Sequence, residues 1–115
     1  MNTFPLYETA QGIVDSNGNA TLRLQPHGHG VTWKVDRVDV RASSSITEST
    51  CTLYVGTAPI QANYRDQTFT GSTGDYSDRL AGVDIRMGST VWAVWSSADI
   101  GAAVFLSIVG SMEVS

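Results

Sequence analysis

Thr90-Val-Trp-Ala-Val-Trp-Ser96 and Ala102-Ala-Val-Phe-Leu-Ser-Ile-Val-Gly-Ser-Met-Glu-Val114 are two runs rich in β-branched and aromatic residues, separated by the turn Ser97-Ala-Asp-Ile-Gly101. Both read as strands, being rich in strand-favouring residues and separated by a short turn. Neither run carries the 3.6-residue spacing of an amphipathic helix. Their succession across a short turn predicts antiparallel β structure.

The same grammar extends upstream. Residues 4–14 read as an extended segment, with Pro5 near its start where a strand tolerates a missing N–H. Asp15-Ser-Asn-Gly18 is a tight turn, because Asn-Gly supplies positive φ readily. Residues 20–24 return with Leu22 and Leu24 on one face, and Pro26 stops them. From Val31 to Ala42 the apolar phase runs on odd positions (Val31, Trp33, Val35), then on even ones (Val38, Val40, Ala42). A phase slip at Asp36-Arg37 predicts a β-bulge or sharp bend.

Residues 43–49 read as a hydroxyl-rich loop, followed by strands at 51–55 and 65–70, a loop at 70–75 and a weaker run at 77–87. About eight short strands at this spacing predict an all-β, eight-stranded antiparallel jelly-roll β-sandwich, with an immunoglobulin-type sandwich as the alternative. The expected core contains Trp33, Val35, Val38, Val40, Leu53, Val55, Leu106 and Ile108. At 115 residues, a single domain spanning 1–115 is expected, with residues 1–7 as an N-terminal arm.

Composition narrows function. Charged residues make up 16% of the chain, against roughly 25% in ordinary soluble domains. Lys34 is the sole lysine, and serine and threonine supply the polarity instead. Such a surface suits a protein that rests against neighbours. A net charge of −4 with dispersed arginines speaks against nucleic acid, which demands clustered cations. No run is long enough to span a membrane. The stretch Met1-Asn-Thr-Phe-Pro-Leu-Tyr7 has neither the basic nor the apolar region of a secretion signal, so synthesis in a cytoplasm is expected. The lone Cys51 shares a strand face with Leu53 and Val55 and reads as a small buried hydrophobe.

Sets of residues that suggest chemistry are incomplete. His27-Gly-His29 has the spacing of a cupin metal motif, yet the following glutamate and a third histidine are missing. Asp15-Ser-Asn-Gly-Asn19 opens like a calcium loop, but its glycine comes two places early and Pro26 stands where glutamate is required. Asp66, Asp75 and Asp78 read as solvated loop acids. No G-x-S-x-G elbow occurs, and both histidines share one turn. No enzyme activity, metal or cofactor is expected. Trp92 and Trp95 lie three apart and face opposite sides of their strand. One of them therefore leaves the core, for a loop contact, a subunit interface or a sugar-stacking surface.

Several of these runs carry a resemblance. They are Gly30-Val-Thr-Trp-Lys-Val-Asp-Arg-Val-Asp-Val40, Cys51-Thr-Leu-Tyr-Val-Gly56, Asp66-Gln-Thr-Phe-Thr-Gly71, Tyr76-Ser-Asp78, Gly88-Ser-Thr-Val-Trp-Ala-Val-Trp95 and Gly101-Ala-Ala-Val-Phe-Leu-Ser-Ile-Val-Gly110. Together they resemble a family of small virion proteins of tailed bacteriophages, of the type found with actinobacterial hosts. The resemblance covers most of the chain and rests on strand and turn idioms. It implies a location in the virion and a non-enzymatic structural role. That role is a capsid decoration protein bound to the major capsid protein, or alternatively a minor tail protein with a carbohydrate-binding surface. A stand-alone carbohydrate-binding module is the third class. Self-association, expected as a homotrimer on three-fold shell positions, would use Phe4, Leu6 and Tyr7 of the N-terminal arm and Trp92 or Trp95.

Overall fold

The computed structural model describes residues 2–43, 49–70, 74–77 and 79–115. Nine strands follow in chain order: β1 (Asn2–Ile13), β2 (Ala20–Leu24), β3 (Val31–Ala42), β4 (Ser49–Gly56), β5 (Tyr64–Thr70), β6 (Gly74–Ser77), β7 (Asp84–Arg86), β8 (Thr90–Ser96) and β9 (Ala103–Val114). One 3-10 turn, Gln61–Asn63, precedes β5, and the described residues form no α-helix.

Two antiparallel sheets face each other. The first runs β1-β9-β3-β6, with β7 also paired to β3, and the second runs β2-β8-β4-β5. The strand orders β1-β9-β3-β6 and β2-β8-β4-β5 are those of a jelly roll, as the sequence predicts. The eight strands of these two four-strand paths are the eight expected, and the three-residue β7 is an addition beside β3. The weak run expected over 77–87 divides into the end of β6, a turn and the three-residue β7. Gly82 takes φ +79° in that turn, and Leu80 drops into the core. The loop expected over 43–49 lies mostly outside the described residues.

Both inner faces close on one core. The first sheet contributes Leu6, Trp33, Val35, Val38, Val40, Ala42, Ile85, Val104, Leu106 and Ile108. The second contributes Leu22, Cys51, Leu53, Val91, Ala93 and Trp95. Of the expected core, only Val55 is partly exposed, packing at the margin where β4 nears its end. Residues 2–7 do not form an arm. They are the first half of β1, paired residue for residue with β9 from Asn2↔Val114 to Ile13↔Ala103. The twelve-residue strands β1, β3 and β9 give the molecule its 47 Å long axis, since such a strand spans ~40 Å.

The phase slip in β3 is a bulge. Val35 stands opposite Gly110 and Arg37 opposite Val109, leaving Asp36 as the extra residue. Before it β3 pairs with β7, and after it with β6. At the junction Val35 turns its backbone to the intervening turn: its N–H donates to Val83 O (3.4 Å), and its carbonyl accepts from Gly82 N–H (3.1 Å). Gly110 makes the bulge fit. A Cβ there would stand 2.1 Å from Lys34 O and 3.0 Å from Asp36 N, both rigid backbone atoms.

Gly110→Ala is therefore expected to cost about 3 kcal/mol, the upper part of the overpacking range, read as a lowered urea midpoint. Gly12→Ala is the control, because its Cβ would meet only the movable end of the Leu22 side chain. That variant should stay within about 1 kcal/mol of the parent. Equal midpoints for the two variants would contradict the bulge geometry.

Candidate functional site

The residues that suggest chemistry sit apart from one another. His27 and His29 are exposed in the turn before β3. The Asp15 carboxylate accepts from the backbone N–H of Asn17 (2.9 Å) and Asn19 (3.0 Å), so it shapes the β1–β2 turn. Asp66 accepts from the Ser77 hydroxyl and joins β5 to β6. Asp75 and Asp78 lie outside the described side chains. Among the described residues, no three His, Cys, Asp or Glu gather where they could hold a metal ion. Among the described residues, the surface features that remain include the two outer sheet faces, the sheet edges and a pocket of about 410 Å³ lined by Val31, Thr32, Asp84, Arg86, Met87 and Glu113.

On the outer face of the second sheet, strand register lines up Arg23, Trp92, Tyr54 and Tyr64 across β2, β8, β4 and β5. Each member has an intramolecular partner. The Arg23 guanidinium lies 5.8 Å from the centre of the Trp92 ring, and the indole N–H donates to Gly56 O at 3.2 Å. Tyr54 and Tyr64 meet edge to face, with centroids 6.4 Å apart and planes at 81°. The Arg23 cation covers one face of Trp92, and the edge-to-face contact holds the two tyrosines against each other. The row ties four strands together from outside.

The two tryptophans face opposite ways, as their spacing requires. Trp95 is fully buried against the core, so it cannot serve as a subunit contact, and Trp92 is the outward one. Among the described residues the Trp95 indole N–H finds no acceptor, an orphan that costs about 1–3 kcal/mol and that surrounding packing must offset.

The first sheet presents a different face. Leu6 is buried, which corrects its expected role as a contact residue, whereas Tyr7 is 69% exposed and Phe4 is exposed near the strand's start. Ile13 (65% exposed) and Phe105 join Tyr7 as large apolar groups on the outer side of β1 and β9. The sequence reading passed over both. Ile13 carries a usable signal, since it has the parity of Tyr7 and the opposite parity to buried Leu6 and Val14. Charge collects at the far side of this face. Arg37 and Asp39 pair at 3.4 Å, and Lys34 Nζ reaches Asp84 Oδ1 at 3.0 Å and Glu113 Oε2 at 3.9 Å. The hydrogen bond to Asp84 raises the Lys34 pKa above the ordinary lysine value. These pairs are solvent-exposed and worth little individually. β1 itself is the sheet's outermost strand, and among the described residues nothing pairs with its second side.

A scan against protein-family models and a search of curated proteins both return no match. Among solved structures, the chain is similar to the Yersinia pseudotuberculosis-derived mitogen, with a TM-score of 0.54 and 12% identity. The similarity covers 93% of this chain and 87% of that one. At this identity the likeness concerns the fold, a β-sandwich. Chains in the structures of infectious bursal disease virus strains Gt and Gx align with TM-scores of 0.31 at 11% and 12% identity. They cover 96% of this chain and about a third of theirs, 32% and 30%. A TM-score this low carries no conclusion for this chain.

Separating the tryptophans yields a test. Trp95→Ala should cost about 3–5 kcal/mol, the range for emptying a buried aromatic site. Trp92→Ala should cost clearly less, since its ring is half-buried. Denaturant midpoints of the two variants decide, and a larger loss at Trp92 would contradict the assignment of faces.

Proposed function

We propose that this chain is a non-enzymatic virion structural protein, a capsid decoration protein bound on the outer surface of a bacteriophage shell. The observation that carries the reading is the first sheet: an outer face with Tyr7, Ile13 and Phe105 exposed, running out to a twelve-residue strand with one unpaired side. Such a surface is built for contact with other protein, because unpaired strand edges and exposed apolar groups are liabilities unless covered. The jelly roll recurs in virus shells, although it also serves lectins and enzymes, so fold adds a prior and no more. The resemblance to phage virion proteins supports the same role.

The major capsid protein is the proposed partner on the shell, and other copies of this chain are the lateral partners. Three-fold shell positions argue for trimers, whereas the free strand edge favours a two-fold pairing. The low proportion of charged residues suits either, since the outer faces are then contact surfaces.

Localisation in purified virions tests the proposal. Cryo-EM reconstruction, with the protein tagged for gold labelling, should place its density on the outer capsid. Density at the tail tip would replace decoration with a tail role and host adsorption. Virions that lack the protein altogether would overturn the structural reading.

A further inference from the structure

We infer that two copies of this chain pair edge to edge through β1, in antiparallel register centred on Ala10, to make one sheet continuous across a two-fold axis. The inference concerns self-association and is independent of where the protein resides.

Backbone directions come first. The Val14 N–H donates to Ala102 O (2.9 Å), and the Val14 carbonyl accepts from Gly101 N–H (3.1 Å), so residue 14 faces β9. The β1–β9 register runs without interruption from Asn2 to Ile13. Along a strand the backbone groups alternate sides. Even residues of β1 therefore bond to β9, and Thr3, Tyr7, Thr9, Gln11 and Ile13 present N–H and carbonyl groups to the open side. Pro5 falls on the open side too, where its missing N–H leaves the internal ladder intact.

The edge lacks most of the usual protection. Proteins guard long edge strands with lysine, bulges or brevity. Here β1 is twelve residues long, has no bulge against β9, and carries Glu8 as its only charge. Pro5 guards the first part alone. From Tyr7 to Ile13 the edge is open.

Register selects the partner. Antiparallel pairing through the open side must set odd residues opposite odd ones. Centring the two-fold on Glu8 opposes two like charges and wastes the Gln11 carbonyl on Pro5. Centring on Thr9 puts Pro5 opposite Ile13, again losing a donor. Centring on Gln11 leaves Tyr7 beyond the end of the partner strand. With the axis at Ala10, every open N–H from Tyr7 to Ile13 meets a carbonyl. Glu8 then lies opposite Gly12, and Thr9 opposite Gln11. The same register sets Tyr7 against the partner copy's Ile13, twice by symmetry. Those are the two most exposed large apolar residues of the strand, and an aromatic facing a β-branched residue is a favourable cross-strand pair. Identical edges that complement each other about a two-fold define an isologous contact, which closes at two copies.

Sedimentation equilibrium of the purified chain should give the mass of two chains, falling to one on dilution. Thr9→Pro removes an N–H that serves only the open side, so the variant should sediment as one chain while keeping a β-sheet circular dichroism spectrum. Ala10→Cys tests register even if the proline variant does not fold. In this pairing the two Ala10 Cα atoms stand about 4.5 Å apart, within disulfide range. It should cross-link under mild oxidation, and Thr3→Cys should not. A single-chain mass at all concentrations, a three-chain mass, or cross-linking through Thr3→Cys but not Ala10→Cys would overturn the inference. Virion localisation does not bear on these outcomes, so the two proposals fail separately.

Discussion

The pairing of β3 with β9, interrupted once at Asp36, is the constraint on which the rest of the structure depends. β9 lies between β3 and β1, so its register fixes both neighbours. The bulge shifts β3 by one residue, and this lets Trp33 and Val35 share an inner face with Val38 and Val40 despite their opposite parity. It also divides β3 between two short partners, β7 before it and β6 after it, with the Gly82-Val83 turn bonded to Val35 at the junction. Gly110 is the complement on β9: only a residue without Cβ allows the Lys34 carbonyl so close.

From that register the two sides of the sandwich acquire different characters. The second sheet's outer face is internally satisfied, with Arg23 over Trp92, Trp92 bonded to Gly56 and Tyr54 against Tyr64. These contacts link four strands from outside the core. The first sheet keeps exposed apolar groups and an open backbone edge, with charges gathered near β3 and β7. The proposed contacts with other protein lie on that side. The polar groups that hinted at catalysis or metal binding, Asp15 and Asp66 among them, are engaged in turns and strand junctions.

Much of the fold was legible because period-2 alternation is a local signal. Strands 20–24, 31–42 and 90–96 were read at their observed bounds, and the slip at Asp36-Arg37 was visible as a change of parity. The N-terminal segment differs from expectation in residues 2–7, because a strand's partner is not written in its own sequence: β9 extends far enough to pair with β1 from Asn2 onward. The 77–87 run misled for a related reason. Leu80 and Ile85 are both core residues, yet a turn through Gly82 separates them, and periodicity alone does not distinguish a strand from a turn that returns to the same core. Trp92 and Trp95 were known to face opposite ways, but which one faced inward depended on the pairing of Trp95 with Cys51 across β4. The open edge of β1 was invisible, since edge position is a property of the whole sheet.

Amide hydrogen exchange along β1, followed by NMR at high and low protein concentration, tests the central claim that this strand is the fold's unfilled edge and the place where it meets its like. Leu6, Glu8, Ala10 and Gly12 should be protected at every concentration, because they bond to β9. Tyr7, Thr9, Gln11 and Ile13 should be protected in the concentrated sample and exchange rapidly on dilution. Odd-numbered amides that exchange rapidly at all concentrations would contradict the pairing. Even-numbered amides that do so would contradict the β1–β9 register beneath it.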